Sequence, residues 1–255
     1  MYIKQAAKQK FKVNVHIVGV QKAGTSALAH FLSQHPDICL VDGKEAHVFD
    51  QPDFYETEDK KAFADKRYAK KLPHYDFESI ICDATPITLF NPVYMQACVE
   101  YNPEALFIVL LRDPVERAQS HYKMMRKLGR EDKNMLSAFI SESSRLSDHG
   151  NFHWSRTSPW RHWSYLHRGL YKQQLDMLYS LVRPEQVLVL KQEDLLEHHE
   201  VTLARVFDFI GLPEIRVTPE QVFESDPEPF SLVNYFAKCY ARAFFAYHKL
   251  RTFFK

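Results

Sequence analysis

The chain has 255 residues, 45% of them hydrophobic, and a formal charge of +1. That is enough apolar material for one sizeable domain, and too little net charge for a field that would hold a nucleic acid backbone, which argues against a nucleic acid partner. Four cysteines, Cys39, Cys82, Cys98 and Cys239, stand far apart without a paired Cys-x-x-Cys spacing and read as buried free thiols.

The first twelve residues are basic and lack the apolar core of a signal peptide, and nowhere do eighteen apolar residues run together. The expected location is cytosolic, the alternative being a luminal domain of a membrane-anchored parent. Val15, Ile17 and Val18 then form a short β-branched run that breaks at Gly19. The chain passes through Gly24 into Thr25, Ser26, Ala27, Leu28, Ala29, His30, Phe31 and Leu32, a helix with apolar residues three and four apart. A strand, a glycine loop and a helix start make an anion-binding corner, because open backbone N–H groups and the positive helix end converge there. Gly19 and Gly24 stand where a Walker A loop has its glycines, but Thr25 follows the second glycine and the lysine, Lys22, lies inside the loop. This loop resembles the 5′-phosphosulfate loop of sulfotransferases that use 3′-phosphoadenosine 5′-phosphosulfate (PAPS). The resemblance assigns donor binding to Lys22, Ala23, Gly24, Thr25, Ser26 and Ala27.

After His35-Pro36-Asp37 a short strand, Ile38 to Val41, leads through Asp42-Gly43 into Lys44, Glu45, Ala46, His47, Val48, Phe49 and Asp50. Ionisable groups directly after a strand end are where an open α/β sheet places its chemistry. The segment is similar to the Lys-Glu-Pro-His-Phe-Phe type motif of heparan sulfate and related carbohydrate sulfotransferases, in which the glutamate is the proposed base. That role falls on Glu45, ranked ahead of His47 as the alternative base. Ala46 and Val48 depart from the motif, and Ala46 in place of proline predicts a less rigid loop.

A helix is expected around residues 60–70, a buried strand over Ser79 to Asp83, a helix opened by Asn91-Pro92, and a central parallel strand at Phe107 to Leu111. Arg112 leaves that strand end, Pro114 sets a helix start and Ser120 follows two turns later. An arginine fork and a hydroxyl suit a phosphate. The string resembles the 3′-phosphate motif of the same sulfotransferases, with Arg112 and Ser120 at the matching eight-residue spacing. Residues 137–163 cluster serine, histidine, arginine and tryptophan, including Trp154, Arg156, Trp160, Arg161 and Trp163; such a segment would line an acceptor pocket, the tryptophan faces suiting sugar rings or flat cations. His149 and His153 are broken by Gly150 and do not make a zinc pair, so no metal is expected.

Arg168-Gly169-Leu170-Tyr171, the strand Val187 to Leu190, Glu193-Asp194-Leu195 and a helix closing on Gly211-Leu212-Pro213 keep the family's order, so the likeness covers about residues 13–213. Beyond it the basic Lys-Gly or Arg-Gly loop usual in the family is missing. One long helix is read over residues 230–255, with Val233, Phe236, Tyr240, Phe244, Tyr247, Leu250 and Phe254 on one face, Lys238, Arg242 and Lys249 on the other, and no acid. Its apolar face is expected to dock on the protein's own core, a membrane-surface or dimer contact being the other uses.

The expected fold is α/β: a P-loop-like, mainly parallel sheet flanked by helices in a single domain, residues 1–229, followed by the C-terminal amphipathic helix. The resemblance implies an enzyme that moves a sulfuryl group from PAPS to a hydroxyl or amine of a glycan or small-molecule acceptor, leaving adenosine 3′,5′-bisphosphate (PAP), without a metal. A P-loop kinase or nucleoside triphosphatase and a non-catalytic nucleotide-binding module are the alternatives.

Overall fold

The computed structural model describes residues 12–147, 155–219 and 231–253. Five strands, β1 (Val15–Gly19), β2 (Ile38–Leu40), β3 (Ile80–Asp83), β4 (Leu106–Leu111) and β5 (Val187–Lys191), form one sheet in the order β2-β3-β1-β4-β5, with every pairing parallel. β1 and β3 are buried throughout and β4 along its middle four residues, whereas β5 at the edge is only half-covered. That gradient explains why β4 reads as an unbroken apolar run: a strand covered on both faces has no solvent side to make polar.

The helices are, in chain order, α1 (Thr25–Leu32), α2 (Pro52–Glu56), α3 (Lys60–Lys71), α4 (Pro92–Tyr101), α5 (Pro114–Lys127), α6 (Met135–Ile140), α7 (Glu142–Ser147), α8 (Pro159–His162), α9 (Tyr171–Leu181), α10 (Gln192–Glu197), α11 (His199–Ile210) and α12 (Leu232–Phe253). Two starts are legible as chemistry. Asn91 caps α4 through Val93 N–H, and Asp113 caps α5 through the N–H groups of Val115 and Glu116, each ahead of a proline at the first helical position.

The strand order fixes where a site can form. From β1 the chain goes outward to β2, returns to β3, then crosses β1 to reach β4 and β5. The connections leaving β1 and β4 therefore part in opposite directions between adjacent strands, and the crevice at their carboxyl ends is the topological switch point. The glycine loop and Arg112 both sit at it.

A second core lies away from the sheet, built from Val115, Ala118, Tyr122 and Met125 of α5, Met135, Ala138 and Phe139 of α6, Tyr165 and Leu166, and Ala237 and Ala241 of α12. α12 thus lies on α5 and α6. The docked residues are Ala237, Ala241, Phe244 and Phe245. Of the face read from the sequence Phe244 docks, but Phe236, Tyr247 and Leu250 are 55%, 56% and 59% exposed. Small alanines let the helix approach closely, a selection that a ranking by hydrophobic size does not detect. Cys39, Cys82 and Cys98 are buried free thiols, while Cys239 on α12 is only half-buried. Among the described residues, no helix is long and apolar enough to cross a membrane.

The seat of α12 reaches the site through Gly169. A Cβ there would lie 2.7 Å from Phe245 Cζ and 3.2 Å from Pro114 Cβ. Gly169→Ala is expected to cost about 1–3 kcal/mol by overpacking, read in a denaturant titration; an unchanged midpoint would show that α12 does not rest there.

Candidate active site

The glycine loop turns from β1 into α1 with Gly24 as a left-handed N-cap, φ 89°, and no side chain caps the helix. Lys22 is left-handed as well, φ 75°. A non-glycine residue there costs about 1–2 kcal/mol and persists only when its surroundings hold it. In the uncapped first turn the N–H groups of Ala27 and Leu28 return to the Gly24 carbonyl, which leaves those of Thr25 and Ser26 without a partner in the helix. Burial lowers the Lys22 ammonium pKa, and the neighbouring cations Arg112, Lys44 and Arg117 lower it further. Four positive side chains around one glycine loop favour an anion.

Arg112 arrives from the opposite side of the switch point. Its Nη1 donates to the Lys22 carbonyl at 3.3 Å, and its Nη2 pairs with Glu116 Oε2 at 3.1 Å. The Tyr171 hydroxyl donates to the Arg112 carbonyl at 2.9 Å, which gives the Arg-Gly-Leu-Tyr element a place at the site. Ser120 lies one turn beyond Glu116 on α5, so the two share a helix face, and Glu116 is the residue that Arg112 pairs with from ahead of the helix. Two motifs 90 residues apart thereby meet.

The third element follows β2. Its backbone is held at the end of β3: Ala84 N–H donates to the Lys44 carbonyl at 2.8 Å, Ala46 N–H to Asp83 Oδ1 at 3.1 Å and His47 N–H to Thr85 Oγ1 at 3.4 Å. Here the expectation of a looser loop needs correcting. Ala46 is buried, and its N–H makes the Asp83 bond that a proline would lack. Asp83 also accepts from Thr85 and Tyr68 at 2.6 and 3.1 Å. Lys44 and His47 are left-handed, φ 58° and 51°, so the segment is bent back on itself by these anchors.

The side chains then alternate in sign. Lys44 Nζ pairs with Glu45 Oε1, His47 Nε2 faces Glu45 Oε2 at 3.2 Å, His47 Nδ1 faces Asp50 Oδ2 at 2.9 Å, and Arg161 Nη2 meets the same Asp50 oxygen at 2.5 Å. With a carboxylate at each ring nitrogen, both nitrogens donate and His47 is an imidazolium. Its hydrogen bond to Asp50 and then that to Glu45 raise its pKa from 6.5 to about 9, against burial. Burial alone would raise the Glu45 pKa, but the bonds from His47 and Lys44 prevail and lower it. Asp50 is likewise opposed by burial and carried down to about 2 by His47 and Arg161.

Asp50 and Arg161 are the residues that sequence reasoning left without a role. Asp50 stood in the quoted segment, three residues after His47, and that spacing was the only available signal. Arg161 comes from α8, 111 residues away, and no local pattern links it to Asp50. Arg156 reaches the same segment through Gln51. Trp163 does not serve as a ring platform: its face carries the Arg145 guanidinium at 4.6 Å, and its Nε1 donates to the Arg130 carbonyl. The Trp160 ring lies against Phe90 and His167. Trp154, His149 and His153 lie outside the described residues, among which no cluster of three or more metal-binding side chains occurs.

A family model described as "Sulfotransferase family" matches residues 14–216. The chain belongs to the sulfotransferase family. It is 30% identical over 213 residues to heparan sulfate glucosamine 3-O-sulfotransferase 3B1 of Mus musculus, a match covering 78% of this chain and 46% of that protein. The Homo sapiens 3-O-sulfotransferase 3A1 is 31% identical, with 78% and 44% covered. The chain thus spans about half the length of the curated relatives it matches. The crystal structure of a sulfotransferase from Alicyclobacillus acidocaldarius aligns with a TM-score of 0.69 at 29% identity, covering 86% of this chain and 88% of that one. The α/β sulfotransferase fold is therefore shared along most of the described chain.

The charge chain gives a pH expectation. Because the folded-state pKa of His47 is raised, its stabilising contribution is complete below 6.5 and is lost as pH rises through about 9. Imidazole resonances of His47 followed by NMR should titrate near 9; a midpoint at the ordinary 6.5 would contradict the two-carboxylate arrangement.

Proposed function

We propose that this sulfotransferase-family protein is an enzyme that transfers a sulfuryl group from PAPS to a hydroxyl or amine of a carbohydrate, lipid or small natural product. The single observation that carries the reading is the Arg112–Lys22 contact, which brings the 3′-phosphate motif onto the 5′-phosphosulfate loop at the switch point. One nucleotide carrying phosphates on both ends suits a site with cations on both flanks; a triphosphate chain suits a lysine after the second glycine, where this chain has Thr25. The likeness to heparan sulfate sulfotransferases favours a carbohydrate among the acceptors.

The donor supplies the activated sulfuryl group when bound. Lys22 and the N–H groups of Gly24, Thr25 and Ser26 would face its 5′ end and offset charge on the departing phosphate oxygen, those of Ala23 and Ala27 being taken by the carbonyls of Val20 and Gly24, while Arg112 and Ser120 would hold the 3′-phosphate and fix the register. Glu45 is ionised across the working pH range and is the base that accepts the acceptor's proton. His47 carries its proton up to about pH 9, which leaves it to orient and stabilise Glu45 rather than to act as base. Asp50 holds the far ring nitrogen and so fixes the imidazolium against Glu45. No residue of the site requires a metal for these roles.

Glu45→Gln is expected to keep donor binding and lose about 10²- to 10⁴-fold in turnover, the range for a positioned general base. Unchanged turnover would remove Glu45 from that role. Calorimetric titration with PAP and, in parallel, ATP should show tight binding of the bisphosphate alone; preference for ATP would overturn the donor assignment in favour of a kinase.

A further inference from the structure

Two buried arginines behind the glycine loop have no part in the catalytic or phosphate-holding roles above. Arg117 of α5 and Arg168, just ahead of α9, are 0% and 1% exposed and head the fully buried side chains by volume. Among the described residues neither forms an ion pair with a carboxylate. Their donors go to neutral oxygens instead. Arg117 donates through Nη2 to the Tyr165 carbonyl and through Nη1 to the Gln21 carbonyl at 3.5 Å. Arg168 donates through Nη1 to Gln21 Oε1 and through Nη2 to the carbonyls of Trp160 and Arg161 at 2.9 and 3.2 Å, with Phe90 4.6 Å beneath its guanidinium. The Nε of each is buried without a partner.

The acid whose field reaches both is Glu142, and it is already committed to the N–H groups of Leu166 and His167 and to His167 Nδ1. Burial lowers the pKa of both guanidinium groups, and Arg117 lowers that of Arg168 further. His121, one turn beyond Arg117 on α5, is fully buried with both ring nitrogens unpartnered and is kept neutral by burial and by the same cations. Like charges buried without a counter-ion are costly. Here both converge on Gln21, the residue next to Lys22 in the loop.

We propose that Arg117 and Arg168 are positioning residues, a buried guanidinium clasp on Gln21 that fixes the glycine loop and whose charge stays uncompensated until an anionic donor binds. The clasp explains how Lys22 is held left-handed without a cap, since its neighbour is gripped through both side chain and carbonyl. It also explains the absent counter-ion: a carboxylate placed beside these arginines would cancel the field that draws the anion. The second half rests on the donor reading; the first does not.

The test uses the full chain, with hydrogen exchange measured over residues 20–24 and thermal denaturation with and without PAP, for wild type, Arg168→Met, Arg168→Lys and Gln21→Ala. Arg168→Met is expected to speed exchange in the loop, to leave the ligand-free melting point unchanged or higher, and to weaken PAP binding roughly ten- to a hundred-fold, the loss of a hydrogen-bonded charge. Arg168→Lys, which keeps the charge without the fork, should recover part of the affinity. Gln21→Ala leaves both arginines in place and should also speed exchange, so the clasp stays testable if Arg168→Met fails to fold. Unchanged loop exchange in the variants that fold overturns the clasp. A large fall in ligand-free stability with PAP affinity intact makes Arg168 a packing residue and overturns the charge argument. Wild type that ignores PAP overturns the donor reading and the neutralisation together, while faster loop exchange in the variants would still uphold the clasp.

Discussion

The site depends on one electrostatic condition: positive charge gathered at the carboxyl ends of β1 and β4 without enough acid to neutralise it. Lys22, Arg112 and Arg117 crowd the same loop, with the Glu45-paired Lys44 at its edge. A folded chain tolerates such crowding only where the backbone leaves the side chains no escape. Parallel pairing supplies that compulsion, because every strand points its carboxyl end to the same edge and the strand order brings the loops after β1 and β4 side by side. Left-handed Lys22 and Gly24 then turn the open N–H groups of α1 to the same point.

Beside this unneutralised centre stands a neutralised one. Lys44, Glu45, His47, Asp50 and Arg161 alternate in sign along a single line of contacts, so each charge has an opposite neighbour on the same loop or on α8. The contrast has a chemical meaning. A group that must hold a fixed orientation benefits from saturation of its partners, whereas a group that must receive an anion benefits from their absence. The buried Asp83 anchors the backbone next to Glu45, accepting from the Ala46 N–H.

The second core has a supporting part. α12 docks through alanines and Phe244 and Phe245 on α5 and α6, and the same α5 carries Arg117 and Ser120. Phe245 closes over Gly169, next to Arg168. The C-terminal helix therefore braces the far side of the arginine clasp, although no residue of it belongs to the family motifs.

By itself the sequence determined the fold class and the order of the strands and of the longer helices, because these are written in local signals: β-branched runs, glycine and proline punctuation, and capping residues within a few positions of what they control, whereas the short helices α2, α6, α7, α8 and α10 carry too few residues for such a signal. Glu45, His47, Lys22 and Arg112 were singled out by the resemblance of their short motifs to those of a family, which needs only residues close together in the chain. Only the tertiary structure decided the partners of these groups. Arg161 on Asp50, Arg168 on Gln21 and Ala46 on Asp83 join segments far apart in the chain, and nothing in the local spacing of an arginine says whether it is solvated, paired or buried. The docked face of α12 was hidden for a related reason: close approach of two helices selects small residues, while a reading of apolar periodicity weights large ones.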